Sequence, residues 1–148
     1  MKKILSLLMA LILCFSFAAC GQKDDNTDEE NIVNPMTIYI SMLDNAEDDL
    51  EIKDFEEVKK VEFVVEEGST VLEATQLYCV ANDLNIELSS DKTYITSMAG
   101  VTQGDYRDTT GWIYELNDET VMVSADKQEL KEGDHISWEF LDWTQAGM

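Results

Sequence analysis

Few side chains in this sequence are suited to catalysis or to metal binding. The only histidine, His135, lies in the stretch EGDHIS, with no second histidine or cysteine near it to share a metal or a proton. We therefore expect His135 to be a solvated residue beside a turn. Carboxylates are too frequent for any pair to indicate a catalytic dyad, and the stretch MAGVTQGD lacks the lysine of a phosphate-binding loop. The sequence predicts a protein that is not an enzyme and that has no metal site.

Aromatic side chains are better candidates for binding. In the stretch GWIYEL, Trp112 and Tyr114 are two residues apart, so both side chains face the same side of a strand. Such a pair can fill the core of a small domain or form a platform for a ligand, and the sequence leaves both interpretations open. Three further candidates for contact with a ligand or partner lie near a loop or at the end of the last strand. They are Tyr94, Met98 and Trp143.

The N-terminus has the organisation of an export signal. Lys2 and Lys3 precede an apolar stretch, residues 4–17, which is too short to span a bilayer and is followed by small residues. The tetrad FAAC resembles the lipobox of bacterial lipoproteins, in which the cysteine is lipidated and becomes the first residue after cleavage. We predict a signal peptide over residues 1–19 and a lipid on Cys20. The lipid would hold the protein in the bilayer at the outer face of the cell membrane.

The segment after the lipobox is polar and acidic, and it cannot bury enough apolar surface to fold alone. We predict that residues 20–35 are the lipidated cysteine and a flexible tether, and that the domain covers residues 36–148. With Cys14 removed in the signal peptide and Cys20 lipidated, Cys79 has no partner for an intramolecular disulfide, and we expect its thiol to be buried. The net charge of −21 disfavours binding to the phosphates of nucleic acids.

Strand-like and helix-like patterns alternate along the domain. Period-two patterns predict strands at residues 36–44, 59–68, 93–100 and 111–118, a short strand from 119, and a last strand that ends at residue 143. Thr70 and Glu73 fit a capping box that begins a helix after the second strand. The helical spacing predicts an inward face made of Val71, Ala74, Leu77, Tyr78, Ala81 and Leu84. In the last strand, we expect the core to contain Ile136, Trp138 and Phe140.

Two strands, one helix and several further strands predict an α+β fold. One helix can cover only one face of the sheet, so the simplest arrangement is a β-grasp-like mixed sheet packed on a single helix. The signal peptide and the flexible linker precede this domain. The other face of the sheet must find different cover, remain exposed to water or bind something.

Four stretches together resemble the transcobalamin-like C-terminal domain family, a small β-grasp module of cobalamin carriers and bacterial surface proteins. They are EGSTVLEAT, YITSMAGV, GWIYEL and LKEGDHISWEFLDW, and the resemblance covers about residues 61–143. In the carriers, the strand that matches GWIYEL contacts the corrin ring. The resemblance implies that Trp112, Ile113 and Tyr114 contact a ligand, while Gly111 stands where the carriers have an aromatic residue. Because the carriers hold cobalamin between this module and a helical barrel, we expect a partner to complete the site.

Two functions remain open at this point. The first is a membrane-anchored extracytoplasmic binding module that takes up cobalamin or a related corrinoid through the aromatic strand and passes it to an importer. The second is a structural or interaction module of a cell-surface lipoprotein, which binds a protein or glycan partner. No other cofactor is predicted for either function.

Overall fold

The computed structural model of the chain describes residues 34–44, 52 and 55–144. The predicted signal peptide, the lipidated Cys20 and nearly all of the predicted tether lie outside these residues. Within them, no helix has the length and apolar character needed to cross a membrane.

Eight strands and one helix follow each other in the described part of the chain. They are β1 (Pro35–Asp44), β2 (Val58–Glu66), α1 (Val71–Ala81), β3 (Ile86–Leu88), β4 (Ile95–Met98), β5 (Val101–Thr102), β6 (Thr110–Leu116), β7 (Glu119–Thr120) and β8 (His135–Asp142). The predicted strands and helix are confirmed, with most ends shifted by one or two residues. The sequence did not predict β3 or β5, because three and two residues are too few for an alternating pattern to show.

The main sheet has five strands in the order β2-β1-β8-β6-β7. Its central strands, β1 and β8, are parallel although they are the first and last strands of the described chain, and all other neighbours are antiparallel. A second, antiparallel sheet contains β3, β4 and β5. The predicted α+β class, a mixed sheet packed on a single helix, is confirmed.

Helix α1 begins at the predicted capping box. The Glu73 N–H donates to the Thr70 hydroxyl at 3.3 Å, and the Thr70 N–H donates to the Glu73 carboxylate at 2.9 Å. The predicted inward face of α1 is wrong in part, because Leu77 is 48% exposed and Ala81 is exposed as well. Two adjacent rows of the helix are buried, and this turns both residues outward. The buried residues of α1 are Val71, Leu72, Ala74, Thr75, Tyr78 and Cys79.

The inner face of the main sheet, which faces α1, carries the core. Ile136, Trp138 and Phe140 are buried there, as predicted. The Trp138 indole N–H donates to the Thr75 hydroxyl at 2.9 Å and joins the helix to β8. Cys79 is fully buried, as expected, and burial raises the pKa of its thiol to about 11. The thiol is therefore protonated at neutral pH and unsuited to act as a nucleophile.

The outer face of the main sheet is partly covered by its own side chains. Near its centre, Ser41 Oγ and His135 Nε2 are hydrogen-bonded at 2.7 Å. The prediction of a solvated His135 is wrong, because this residue begins β8 and lies in the sheet beside β1. On the same face, the Trp143 ring lies against Gly111, where a Cβ atom would come within 3.0 Å of Trp143 Cζ3. A side chain at position 111 would therefore require the Trp143 ring to shift.

Candidate functional site

A largely apolar pocket of about 270 Å³ lies beside β6, and we name it the β6 pocket. One wall comes from β6, a second from the residues at the start of β4, and a third from the segment 121–125, with Trp138 of β8 also lining it. Four of the predicted contact residues lie together here. They are Trp112, Ile113, Tyr114 and Tyr94.

The β6 pocket lies where one edge of β6 is left open. β6 pairs with β8 along its whole length but with β7 only over its last two residues. The Asn117 N–H donates to the His135 C=O at 2.9 Å and so continues the ladder between β6 and β8. Because an antiparallel ladder bonds alternate residues, the N–H and C=O groups of Trp112 and Tyr114 point away from β8. Those of Trp112 face the open edge, whereas those of Tyr114 face the chain just after β7, because Glu115 is paired with Thr120.

Trp112 belongs to both the core and the pocket wall. Its side chain is 7% exposed, and its ring centroid lies 5.3 Å from that of Phe140 and 5.8 Å from that of Phe55. The indole N–H donates to the Val101 C=O at 3.0 Å. The sequence left core and platform open as alternatives, and the structure shows core packing with part of the residue at the pocket. A tryptophan held on several sides offers a rigid wall to a ligand.

Tyr114 fixes the wall of the β6 pocket that lies across from the strand. Its hydroxyl donates to the Val123 C=O at 2.5 Å, and its ring centroid lies 5.3 Å from that of Trp138. Burial raises the pKa of the Tyr114 phenol, so the hydroxyl remains a hydrogen-bond donor at neutral pH. The segment 121–125 is thereby tied to β6 at the pocket.

The rim of the β6 pocket is apolar and exposed. Tyr94 and Val123 are exposed, and Met122 is 84% exposed. Tyr94 is a predicted contact, whereas Met122 and Val123 were not predicted, because their only signal was the apolar run VMV between polar neighbours. Exposed apolar side chains that cluster around a pocket make it a candidate binding surface, whereas single ones are common on any protein.

Two of the candidate contacts lie away from the β6 pocket. Met98, the last residue of β4, is fully buried in the core. Trp143 is exposed on the outer face of the main sheet, against Gly111. β4 has only four residues, too short a stretch for its pattern to show which side chains point inward.

Ser41, His135 and Asp118 are connected in the order of a hydrolytic Ser-His-Asp triad. They lack the accessible hydroxyl and the oxyanion-binding N–H groups that such a triad needs. His135 Nδ1 lies 3.6 Å from Asp118 Oδ1, on the far side of the ring from Ser41. Burial and the nearby Lys60 lower the pKa of His135, and Asp118 opposes them. Ser41 is 2% exposed within β1, which pairs on both sides, so the N–H groups around it lie in the sheet and not toward Oγ. The arrangement joins the two central strands.

The described residues also contain no group of histidine, cysteine and carboxylate side chains that could hold a metal ion. The β6 pocket is lined by apolar, aromatic and small side chains, and its ionisable groups are tyrosines. Its chemistry is therefore burial of apolar surface, with backbone groups available for hydrogen bonds along the open edge of β6.

Solved structures show which fold this chain shares. Haptocorrin in complex with Cbi is 20% identical with a TM-score of 0.56, over 76% of this chain and 26% of the haptocorrin chain. This chain therefore spans about a quarter of the length of haptocorrin, and the likeness confirms the predicted transcobalamin-like fold. A candidate metal-binding protein from Ruminococcus gnavus is 16% identical with a TM-score of 0.47, over 72% of this chain and 97% of that chain, which is too distant to support an inference. No curated protein matches this chain.

A protein-family profile matches residues 68–142, which is just over half of the chain. The match runs from the turn before α1 to the end of β8, so it includes the helix, the second sheet and every residue that lines the β6 pocket. The chain therefore belongs to the family described as a domain of unknown function (DUF4430).

Proposed function

We propose that this chain is an extracytoplasmic binding module whose β6 pocket contacts a corrinoid such as cobalamin or cobinamide. The observation that carries the proposal is that Trp112, Ile113 and Tyr114 line one apolar pocket together with Tyr94. Haptocorrin, solved in complex with Cbi, has a similar fold, which makes a corrinoid the first ligand to test. In this proposal the module binds its ligand without covalent chemistry and is not an enzyme.

The β6 pocket suits one edge of a corrin better than the whole ring. Its volume of about 270 Å³ is just below the range of roughly 300–1,000 Å³ that is typical of small-molecule sites. The apolar walls bury the ring edge, and the backbone groups of Trp112 can hydrogen-bond to the amides at the corrin periphery. A partner that contacts the exposed rim at Tyr94 and Met122 completes the site and covers the rest of the ligand.

The proposal includes an anchor at the outer face of the membrane. Residues 1–19 act as the signal peptide, Cys20 carries the lipid, residues 20–35 form the tether, and a β-grasp-like domain follows. The N-terminal sequence supports the anchor, and the parallel central pair β1 and β8 supports the β-grasp-like arrangement. Cys20→Ser should move the protein from the membrane fraction to the soluble fraction, and retention in the membrane fraction would contradict the anchor.

Calorimetric titration of the soluble processed chain, residues 20–148 with Cys20→Ser, tests the ligand. We expect saturable binding of cobalamin or cobinamide at micromolar concentration. Tyr94→Ala and Met122→Ala should each weaken binding several-fold, because both side chains are exposed at the rim and their loss leaves the core intact. Trp112→Ala is a poor test, since removal of a buried tryptophan costs about 3–5 kcal/mol of stability by itself.

The matched control for the rim variants is Val80→Ala. Val80 is 72% exposed on α1 and does not line the β6 pocket, so this variant should bind as the unsubstituted chain does. Calorimetry avoids the overlap between corrinoid absorption and tryptophan emission. Absence of saturable binding for both corrinoids, or an equal loss of binding in Val80→Ala, would exclude a corrinoid site at β6 in this chain alone.

The exposed rim supports a second candidate, an interaction module that binds a protein or glycan partner at the cell surface. Met122 and its neighbours present apolar surface that can dock a partner without a small ligand. The titration separates the two candidates, because an interaction module binds neither corrinoid although its rim variants lose affinity for the macromolecular partner.

A further inference from the structure

A second groove lies at the opposite edge of the main sheet from the β6 pocket. It has a volume of about 500 Å³ and runs between the end of β2, the turn that follows it and the outward face of α1. β2 is one edge strand of the main sheet, whereas β6 and β7 lie at the other side. We name this feature the α1 groove, and it shares no lining residue with the β6 pocket.

Leu77 and Val80 supply the apolar surface of the α1 groove. They are three residues apart on α1 and therefore neighbours on one face of the helix, with 48% and 72% of their surfaces exposed. The core does not use them, because the buried rows of α1 run along its other side. Two adjacent apolar side chains inside a groove form a contiguous surface that a partner can bury, whereas a single exposed residue on a flat surface does not.

Three carboxylates line the same groove as these apolar side chains. Glu66 and Glu67 lie on the β2 side of the α1 groove, and Glu73 lies on the helix side. Glu73 is held in place, since its carboxylate accepts the Thr70 N–H at 2.9 Å and the Thr70 hydroxyl at 3.1 Å. Among the described residues that line the groove, none is basic. Carboxylates beside an apolar surface favour a partner with positive charges next to its own apolar side chains.

We propose that the α1 groove docks a basic amphipathic helix of another protein. The apolar side chains of that helix pack on Leu77 and Val80, and its lysine or arginine side chains face the three carboxylates. A second copy of this chain and an anionic lipid surface are both disfavoured as occupants, because this chain has a net charge of −21. The proposal is independent of the corrinoid proposal, because it concerns a separate surface.

A designed peptide tests the α1 groove while the natural partner is unidentified. The probe is an amphipathic helix of leucine and lysine, roughly 18 residues or five turns long. Two further peptides have the same composition in scrambled order, or glutamate in place of lysine. We expect the first peptide to bind the soluble processed chain and to shift the amide NMR signals of the residues that line the groove, and the other two to bind at least about tenfold more weakly.

Paired variants distinguish a specific groove from general attraction to an acidic protein. Leu77→Ser with Val80→Ser should weaken binding at least about tenfold, whereas Met122→Ser, an exposed apolar residue elsewhere, should not. Glu66→Gln with Glu67→Gln should weaken it more than Glu56→Gln with Glu57→Gln, which removes the same charge at another exposed site. The proposal would be overturned if the two glutamate pairs gave equal losses of binding, or if the scrambled peptide bound as well as the first. It would also be overturned if the chain formed a dimer that Leu77→Ser converts to monomers.

Discussion

At the scale of single residues, Thr75 joins α1 to the main sheet through its hydroxyl. This group accepts the Trp138 indole N–H at 2.9 Å and donates to the Val71 C=O at 2.7 Å, and the residue is fully buried. We predict that Thr75→Val, which keeps the shape but removes the hydroxyl, lowers the free energy of unfolding by about 1–3 kcal/mol, because the buried indole loses its partner. Urea unfolding of the soluble processed chain measures this change.

The control for this prediction is the same substitution in a Trp138→Phe background, which lacks the indole N–H. There, Thr75→Val should cost at least about 1 kcal/mol less than in the unsubstituted chain. Equal costs in the two backgrounds would show that the hydrogen bond between Thr75 and Trp138 does not stabilise the fold.

His135 gives the stability of the protein a pH dependence of predictable sign. Burial and Lys60 lower the pKa of His135 below its usual 6.5, against an opposing effect from Asp118. As the pH falls through 6.5, the unfolded chain therefore takes up a proton before the folded chain does, and the free energy of unfolding decreases. This contribution is fully present above the unfolded pKa and is lost between it and the lower folded pKa. Ser41 is hydrogen-bonded to the His135 ring, but its hydroxyl is uncharged and does not offset the effect of Lys60 on the pKa of His135.

The variant His135→Gln tests this sign. It removes the titrating group, so its stability should fall less between about pH 7.5 and about pH 5.5 than that of the unsubstituted chain. Carboxylates that begin to protonate in this range are common to both proteins and cancel in the comparison. Identical pH dependence in urea unfolding would show that His135 has the same pKa in both states.

Single residues of the candidate site could be found in the sequence, but their surroundings could not. The spacing of Trp112 and Tyr114 predicted a shared strand face, and that face proved to belong to the core. Whether an aromatic residue meets core or solvent depends on what packs against its strand, and Phe55, whose ring packs against Trp112, is distant in sequence. The resemblance to cobalamin carriers pointed to β6, the strand that lines the β6 pocket, whereas Met122 at the pocket rim had no comparable signal.

At the scale of elements, the start of α1 is a local feature that the sequence encodes well. The capping box satisfies two N–H groups that would otherwise lack partners at the first turn. We predict that Thr70→Ala lowers the free energy of unfolding by about 1 kcal/mol, while Thr70→Ser, which keeps the hydroxyl, has a smaller effect. Gln76→Ala, at a partly exposed position of the same helix, should change stability little. A loss in Gln76→Ala as large as in Thr70→Ala would contradict a role for the cap.

The orientation of α1 about its own axis could not be predicted with the same accuracy. Apolar residues occur on more than one side of the helix, so the pattern allowed Leu77 to point inward. The structure instead buries Leu72, Thr75 and Cys79 beside the expected row. The hydrogen bond from Trp138 to Thr75 contributes to this choice, and it links residues 63 positions apart. A local pattern carries no information about such a pair, and it was this rotation that left Leu77 and Val80 exposed in the α1 groove.

At the scale of the whole molecule, the fold class followed from the number and order of elements, but the sheet order did not. Alternation identifies a strand, whereas its neighbour in the sheet is set by packing over long separations. The central parallel pair brings Ser41 next to Ser137 and to the His135 ring, nearly a hundred residues away. The β6 pocket also could not be predicted without the sheet order. It opens where the two-residue β7 ends and leaves one edge of β6 without a strand partner.

The net charge of −21 leads to a prediction about the stability of the whole molecule. Ion pairs in the described residues are few, and those of Lys59 with Glu57 and of Lys127 with Asp126 join side chains that are close in sequence, so they offset little of the repulsion. Compaction brings the excess carboxylates together, and salt screens them. We predict that the free energy of unfolding rises from about 10 mM to about 150 mM NaCl, over which the screening length falls from roughly 30 Å to 8 Å.

Urea, which is uncharged, is the denaturant suited to this measurement, and KCl should give the same dependence as NaCl because screening depends on ionic strength alone. A variant with Glu56, Glu57, Glu66 and Glu67 all replaced by Gln should show a shallower rise, since four exposed negative charges are removed. A flat or falling salt dependence, or an unchanged slope in the variant, would mean that the unfolded chain is repelled as strongly as the folded domain. In that case the acidic surface would carry no cost in stability.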